Sequence, residues 1–285
     1  MKKILDENVE SFRIHLINQE KSMSTLEKYM RDVKALKIWL NGKILDKSTV
    51  LAYKEELIEK YAPSSVNAAL ASINSFFSFM EWQDLRVKSL KIQKQIFSTK
   101  DIVLTKTEYE RLLETAIKNK NERLYLVMQT ICSTGIRVSE LKYITVCAIN
   151  CGVAKINCKG KYRQVLLPSK LCRILKRYAQ TKKIKSGAVF ITKNGIPLDR
   201  SNIWNEMRKL SRIANVPEKK VFPHNLRHLF ARTYYEAQRD VVRLADILGH
   251  SSVNTTRIYT MESGEIHVQQ IQNLGLLKDG FYKTS

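Results

Sequence analysis

The 285-residue sequence lacks several features that would place it in a class of protein at once. No apolar run approaches the ~18–20 residues needed to span a bilayer, which excludes an integral membrane protein. The basic N-terminus meets Asp6 and Glu7 before any apolar segment of signal-peptide length, so we expect a cytoplasmic rather than a secreted protein. Neither a P-loop nor a convincing carboxylate cluster is present, so ATP-dependent and two-metal phosphoryl chemistry are not indicated.

Cysteine is scarce and does not follow a ligand pattern. The five cysteines are an odd number and include no CxxC pair. A zinc site would need paired ligands, and the five histidines do not fall near the cysteines in sequence. We therefore interpret the cysteines as reduced thiols of a cytosolic protein.

Acidic residues are the minority among the charged ones. The chain has 27 Asp+Glu against 49 Lys+Arg, a net charge of +22, while its hydrophobic content of 44% excludes a wholly disordered chain. Residues 101–285 hold +17 of this charge and residues 1–100 hold +5. Such an excess predicts affinity for a polyanion, with nucleic acid first and an anionic membrane second. A merely lysine-rich soluble surface is the alternative.

The length predicts two domains, and the charge pattern separates them. Residues 91–103 are polar and basic without a sustained apolar stripe, which is typical of a linker. Residues 1–90 carry apolar residues at helical spacing in four segments, which predicts an all-α four-helix domain. Residues 104–285 predict a mixed α+β domain, in which helices surround a small antiparallel β-hairpin at 153–157 and 164–167. The predicted fold class is therefore mainly α with a small antiparallel β-hairpin.

Local signals fix several of the predicted elements. The first apolar stripe contains Val9, Phe12, Leu16 and Ile17, and the second helix is predicted to start at a cap at Ser24. Thr105 and Glu108 have the spacing of a capping box, and further helices are predicted at 136, 200–213, 241–248 and 254–259. The aromatic residues of the fourth segment, Phe76 and Phe77, are interpreted as core residues rather than as base-stacking groups.

Two segments of the second half place a cation beside a helix start. Gly135 permits a tight turn, so Arg137 is predicted in the first turn of a helix, where free N–H groups favour an anion. His224 and Arg227 share one helix face at i, i+3 spacing, and an imidazole beside a guanidinium suits a phosphate under attack. Taken singly, an arginine at the place of Arg137 is more often a surface charge. A capping histidine with a salt-bridged arginine likewise explains the second pair, and His228 lies one residue further on.

Two more residues lie in the segment 248–260. Gly249 ends a predicted helix, His250 stands in the loop that follows, and Tyr259 comes nine residues later. One tyrosine among twelve is normally a packing residue, so Tyr259 carries little information by itself.

In their order along the chain, these pieces resemble the tyrosine recombinases, also called the phage integrase family. The matching words are the Thr-Gly-Ile-Arg-Val-Ser-Glu-Leu box, the His-x-Leu-Arg-His box and Leu-Gly-His-Ser-Ser-x-x-Thr-Thr-x-x-Tyr. The resemblance covers residues 104–262 by motif. The N-terminal helical domain resembles the core-binding (SAM-like) domain of the family by pattern alone.

The resemblance implies DNA cleavage through a tyrosine hydroxyl, which leaves a 3′-phosphotyrosine and a free 5′-hydroxyl. The implied catalytic residues are Arg137, Lys159, His224, Arg227, His250 and Tyr259. In this scheme Tyr259 is the nucleophile, and the two arginines hold the non-bridging oxygens of the transition state. His224 assists proton transfer at the tyrosine, and His250 hydrogen-bonds the same phosphate. These cations supply the charge that a metal would otherwise provide, and the phosphotyrosine bond conserves the energy, so no metal or other cofactor is expected.

The leaving 5′-oxygen needs a general acid, which in the family is a lysine on a β-hairpin turn. Lys159 occupies this place. Lys161 is its rival, because the turn before Arg163 is one residue shorter than in the common family pattern. Glu140 matches a family acid that supports the active-site arginine and histidine, and the alternative is a carboxylate on a helix surface.

The resemblance also implies the partners. They are double-stranded DNA with an inverted-repeat recombination site, gripped by both domains through phosphate contacts, and three further copies of the chain in a tetramer of two dimers. An accessory DNA-bending or directionality protein is compatible with this scheme, and a membrane is not a partner. The tail after Tyr259 either docks on a neighbouring protomer as an oligomerisation segment or packs on its own domain; its apolar residues are Ile266, Val268, Ile271, Leu274 and Leu276.

The predicted function is site-specific DNA recombination, for integration and excision of a mobile element or for chromosome or plasmid resolution. A type IB DNA topoisomerase shares the chemistry and is the nearest alternative. A catalytically idle DNA-binding regulator is the second alternative, although such a protein is expected to have lost the tyrosine or an arginine. A metal-dependent nuclease would leave Tyr259 unexplained.

Overall fold

A computed structural model of the chain describes residues 2–92, 102–158, 161–250, 252–256, 259 and 272–276, without the side chains of Cys158 and Lys161. The chain divides into two compact units, Met1–Lys94 and Gln95–Ser285. Both are mainly helical, and the second contains a two-stranded antiparallel sheet, which confirms the predicted fold class. The domain limits at residues 90 and 104 stay a prediction, because most of the proposed linker lies outside the described residues.

The first unit is built from amphipathic helices around one apolar core. The helices are α1 (Asp6–Asn18), α2 (Met23–Leu40), α3 (Lys47–Lys60) and α4 (Pro63–Phe79). Phe76 and Phe77 of α4 are fully buried, which confirms their interpretation as core residues. Ile17 is 47% exposed, so the buried stripe of α1 ends at Leu16. The predicted cap at Ser24 is wrong, because Ser22 caps α2 by accepting a hydrogen bond from the backbone N–H of Thr25 (3.4 Å).

The second unit contains eight further α-helices whose bounds lie within the described residues. They are α5 (Lys106–Lys118), α6 (Glu122–Thr134), α7 (Val146–Cys151), α8 (Ser169–Thr181), α9 (Arg200–Ile213), α10 (Pro223–Gln238), α11 (Val241–Leu248) and α12 (Val253–Thr256). The predicted capping box is present: Thr105 Oγ1 accepts from the Glu108 N–H (3.1 Å), and Glu108 Oε2 accepts from the Thr105 N–H (2.8 Å). The α-helix predicted at residue 136 is instead a 3₁₀-helix at Val138–Tyr143. The last predicted helix, 254–259, coincides with α12 up to Thr256, and residues 257 and 258 lie outside the described residues.

The hairpin consists of β1 (Val153–Cys158) and β2 (Lys161–Leu166). The pairing runs from Val153 opposite Leu166 to Cys158 opposite Lys161, so two residues connect the strands. Both strands extend further towards the turn than the predicted 153–157 and 164–167. Backbone pairing continues through polar and charged residues that interrupt the apolar alternation on which the prediction depended.

Tyr259 belongs to a small apolar cluster of its own within the second unit. Its buried members are Ala231 of α10, Leu244 and Leu248 of α11, and Tyr259. This cluster fixes the tyrosine against the two helices that carry the His-x-Leu-Arg-His and Leu-Gly-His motifs.

Candidate active site

Arg137 stands at the corner between α6 and the 3₁₀-helix. Gly135 ends α6 in the left-handed region (φ +64°), and Arg137 is the cap residue before Val138 rather than a residue of a first α-helical turn. Its Nη1 pairs with Glu140 Oε1 (3.0 Å), and its backbone N–H donates to Glu140 Oε2 (3.0 Å). The Arg137 side chain is 38% exposed, so part of the guanidinium is open to a ligand.

Glu140 is a buried carboxylate that joins two arginines. Its side chain is 5% exposed, and its Oε2 also accepts from Arg163 Nη2 at 2.5 Å. Burial alone would raise the pKa of Glu140, but the hydrogen bond and charge of Arg163, together with Arg137, hold that pKa below its ordinary value. The alternative of a helix-surface carboxylate is therefore wrong.

Arg227 is the most deeply buried arginine of the site. It lies one helical turn after His224 in α10, and its Nη1 donates to the carbonyl of Gly135 at 2.5 Å. Burial, and next the charge of Arg137, lowers the pKa of Arg227 to about 10, while Tyr259 acts in the opposite direction. A guanidinium with that pKa is still charged at neutral pH. No carboxylate among the described residues forms an ion pair with it.

Three arginines donate hydrogen bonds to backbone carbonyls at the C-terminal end of α11. Arg163 Nη1 donates to the Ile247 carbonyl (3.0 Å), Arg227 Nη2 donates to Leu248 (2.8 Å), and Arg137 Nη2 donates to Gly249 (3.3 Å). The last carbonyls of a helix have no intrahelical partner and carry the negative end of its dipole. In the described part of the chain, the end of α11 therefore holds three cations close together, and the carboxylate of Glu140 joins two of them.

His250 follows directly and has a defined tautomer. Its Nε2 lies 2.9 Å from Arg227 Nη2, and its Nδ1 lies 2.8 Å from Thr256 Oγ1. Because a guanidinium only donates, Nε2 must be the acceptor and Nδ1–H must donate to the buried threonine hydroxyl. Burial, and next the charges of Arg227 and Arg137, lowers the pKa of His250 to about 4, so the ring is neutral at pH 7.

Tyr259 is 4% exposed and lies between two of these histidines. Its ring centroid is 4.7 Å from that of His228 in an edge-to-face arrangement and 6.1 Å from that of His250 with the planes nearly parallel. His228 in turn contacts His224 edge to face at 4.6 Å. Burial is the first cause that lowers the pKa of His224 and that of His228, the latter to about 4. The two imidazoles that lie against the tyrosine, those of His228 and His250, are therefore neutral at pH 7.

A cleft of about 810 Å³ opens beside the arginines. Its walls carry the basic side chains and the histidine of the site, together with Trp204 of α9; they are Arg137, Arg200, Lys219, His224 and Arg227. Glu218 also lines the cleft, but it is paired with Arg208 and Arg212. The open part of the site is therefore positively charged and suits an anionic ligand.

Of the predicted site residues, the structure brings together Arg137, His224, Arg227, His250 and Tyr259. Lys159 lies outside the described residues, as does the side chain of its rival Lys161. Most of the C-terminal tail lies outside them too, while Leu274 and Leu276 are exposed.

Sequence reasoning missed Arg163 and gave His228 too little weight. Arg163 lies two residues before the buried Val165 on β2, so the two-residue period of the strand places this arginine on the same inward face. A buried arginine needs a partner, and that pattern was the available signal. For His228 the sequence holds no such signal, because its contact with Tyr259 spans separate elements. In the described ranges, no group of three or more His, Cys, Asp or Glu side chains could hold a metal ion, and no helix is long and apolar enough to cross a membrane.

Comparison with known proteins agrees with this geometry. Residues 102–265 match the phage integrase family, and residues 9–84 match the phage integrase N-terminal SAM-like domain. The chain belongs to the phage integrase family. Among its curated relatives, tyrosine recombinase XerH of Campylobacter jejuni is 33% identical over 69% of this chain and 61% of that protein. Tyrosine recombinase XerD of Staphylococcus haemolyticus is 29% identical over 91% of this chain and 95% of that protein.

Solved structures of the phage integrase family share the fold. XerH bound to its difH substrate before cleavage has a TM-score of 0.69 at 20% identity, covering 94% of this chain and 85% of that one. A lambda integrase dimer bound to a COC′ core site has a TM-score of 0.72 at 17% identity, covering 98% and 99%. The family match supports the recombinase interpretation and not the topoisomerase or regulator alternatives.

Proposed function

We propose that this protein is a site-specific DNA recombinase that cleaves and rejoins DNA through a 3′-phosphotyrosine intermediate at Tyr259. The observation that carries the proposal is the position of Tyr259, packed against His228 and His250 and next to the charged Arg227. A tyrosine hydroxyl has an ordinary pKa near 10, so it needs a proton acceptor and a positive field to attack a phosphate. Neutral imidazoles and three guanidinium groups supply both.

Two arginines bind the scissile phosphate in this scheme. Arg137 and Arg227 hold the non-bridging oxygens of the scissile phosphate, where negative charge builds up in the transition state. Support comes from the cleft that both side chains line and from the missing carboxylate partner of Arg227 among the described residues. His224 lines the same cleft and assists the transfer of the tyrosine proton. The expected hydrogen bond from His250 to the phosphate does not fit the tautomer described above, because its Nδ1–H donates to Thr256 and its Nε2 accepts from Arg227; in this scheme His250 instead orients Arg227.

The leaving 5′-oxygen takes its proton from the hairpin lysine, which we assign to Lys159 with Lys161 as the rival. Lys159 falls in the two-residue connection between β1 and β2, which follows from the pairing of Cys158 with Lys161. No metal ion or nucleotide enters this scheme, because the arginines supply the positive charge and the phosphotyrosine conserves the bond energy.

The proposed partners follow from the chemistry of strand exchange. Rejoining to a different strand needs two duplexes and four protomers, so we propose a tetramer of two dimers on inverted-repeat sites. Support comes from a family neighbour, lambda integrase, whose structure is a tetramer bound to a Holliday junction. The exposed Leu274 and Leu276 fit a tail that docks on a neighbouring protomer. An accessory DNA-bending or directionality protein and a location at the bacterial nucleoid complete the proposal, in integration and excision or in chromosome or plasmid resolution.

The test is to trap the covalent intermediate. Incubation with a nicked half-site duplex should give a protein–DNA adduct that resists denaturation, and EDTA should not change its yield. Tyr259→Phe should abolish the adduct, whereas Tyr234→Phe, which removes a hydroxyl from a tyrosine packed on the same small cluster, should leave it intact. An adduct that persists in Tyr259→Phe would exclude Tyr259 as the nucleophile.

A further inference from the structure

Arg163 connects three separate parts of the site. It lies on β2 opposite Ile156, its Nη2 pairs with Glu140 of the 3₁₀-helix, and its Nη1 donates to the Ile247 carbonyl at the end of α11. The aliphatic part of its side chain lies directly against Gly249, where an added Cβ would collide with the Arg163 Cδ. One side chain thus connects the hairpin to the C-terminal end of α11, which also binds the other two arginines.

The surroundings of Arg163 prevent it from holding the phosphate itself. Its side chain is only 14% exposed, and both terminal nitrogens are occupied by Glu140 and Ile247. Its Nε is buried and has no hydrogen-bond acceptor in the described part of the chain. Arg137, by contrast, lines the cleft and is 38% exposed.

Burial of this ion pair needs an explanation other than stability. A buried pair with one unsatisfied nitrogen is often no more stable than well-packed apolar side chains of similar volume. It does impose one geometry, because a guanidinium that bonds through both terminal nitrogens holds its acceptors in fixed directions. Glu140 passes this constraint on, since one of its oxygens binds Arg163 and the other binds Arg137.

The fixed geometry reaches the end of the hairpin through the strand ladder. Two further pairs, Asn157 with Tyr162 and Cys158 with Lys161, separate Arg163 from the two-residue connection. A hairpin held by Arg163 near this end cannot tilt away from the arginines that bind the phosphate. Without this anchor, the end of the hairpin depends on the ladder and on one hydrogen bond, from the Tyr143 hydroxyl to the Asn157 carbonyl.

We propose that Arg163 is a positioning residue that locks the β1–β2 hairpin to the phosphate-binding arginines and so holds the hairpin lysine against the leaving 5′-oxygen. The inference rests on the proposed function. In the step that it serves, the bond from phosphorus to the 5′-oxygen breaks as the bond from the tyrosine oxygen to phosphorus forms, and the lysine ammonium gives its proton to the 5′-oxygen.

The experiment compares two half-site substrates, an ordinary phosphodiester and one with a 5′-bridging phosphorothiolate, whose leaving thiolate needs no proton. We expect Arg163→Gln to slow cleavage of the phosphodiester by about 100-fold or more, which is the usual contribution of a general acid. The same variant should cleave the phosphorothiolate at a rate within about fivefold of the wild-type rate. Lys159→Ala should show the same pattern. Arg137→Gln should lose cleavage of both substrates, because it removes a group that holds the phosphate.

Further variants separate positioning from folding. Gln164→Ala, at the next position on β2, is the matched control and should cleave both substrates normally. Melting temperature and gel-shift affinity for DNA verify that Arg163→Gln is folded. If it is not, Arg163→Lys, which keeps the charge but has a single donor nitrogen, should show a smaller loss with the same rescue.

Equal losses on both substrates in a folded Arg163 variant would overturn the inference and assign the residue to the phosphate-binding arginines. Full activity on the phosphodiester would also overturn it. Rescue of Lys161→Ala in place of Lys159→Ala would change the acid but retain the role of Arg163, since both lysines belong to the same hairpin. A wild-type protein that forms no adduct with either substrate would instead refute the proposed function, and the inference with it.

Discussion

Gly135→Ala should destabilise the catalytic unit through two separable effects. The backbone there has φ +64°, which costs a residue with a Cβ roughly 1–2 kcal/mol. The added Cβ would also lie 2.5 Å from Phe230 Cδ1 and 2.9 Å from Leu248 Cδ2, and overpacking of this kind costs about 1–3 kcal/mol. The expected loss in the free energy of unfolding is therefore roughly 2–5 kcal/mol.

Gly195→Ala is the matched control for the backbone effect. Gly195 has a similar φ of +77°, but no heavy atom lies within 4 Å of a Cβ built on it. This variant should lose only the roughly 1–2 kcal/mol of the backbone effect. At about 2–4 °C per kcal/mol for a unit of this size, the melting temperature should fall by roughly 2–8 °C in Gly195→Ala and by roughly 4–20 °C in Gly135→Ala.

Differential scanning calorimetry of the full chain measures the unfolding transition of each variant. Equal melting temperatures for the two variants would show that Phe230 and Leu248 yield without cost, and would refute the packing argument. Adduct formation below the transition gives a second readout. The Gly135 carbonyl accepts from Arg227, so a shifted corner should slow cleavage in Gly135→Ala but not in Gly195→Ala.

Two further predictions concern charge. Glu140→Gln removes the carboxylate between Arg137 and Arg163. It should lower the free energy of unfolding in urea by about 3–5 kcal/mol and remove most of the adduct, whereas Glu110→Gln, at an exposed position, should change neither. A Glu140→Gln variant as stable as wild type would contradict the role of Glu140. The unfolded imidazole of His250 binds a proton at its ordinary pKa of 6.5 and the folded one only at about 4, so stability should not depend on this group above pH 6.5 and should fall as the pH drops towards 4. After allowance for solvent screening this amounts to about 1–2 kcal/mol at pH 4, and an unchanged pH slope in His250→Gln would contradict it.

Local signals in the sequence were sufficient for much of the fold. The capping box at Thr105 and the limits of α9 and α11 were predicted correctly, because caps and apolar spacing act within a few residues. The 3₁₀-helix at Val138–Tyr143 was not predicted. Its geometry depends on Glu140, whose side chain is drawn inward by Arg163 from a distant strand.

The candidate site divides in the same way. The order of the motifs along the chain is sufficient to single out Arg137, Arg227 and Tyr259. The acceptors that hold the arginines at the end of α11 are backbone carbonyls, and a carbonyl has no signature in the sequence. The contact of His228 with Tyr259 likewise depends on how α10 lies against the segment after α12. Such features arise only in the folded chain.

The end of α11 also limits how the chain can change length. Each residue added to an α-helix turns its end by about 100° and moves it by about 1.5 Å. A single insertion in Val241–Leu248 would therefore redirect three consecutive carbonyls away from three arginines that come from three other segments. The turn at Gly195 has open space around it and should accept extra residues. Insertions and deletions should thus be tolerated at the Gly195 turn and should abolish activity within α11, even though neither change replaces a residue of the proposed chemistry.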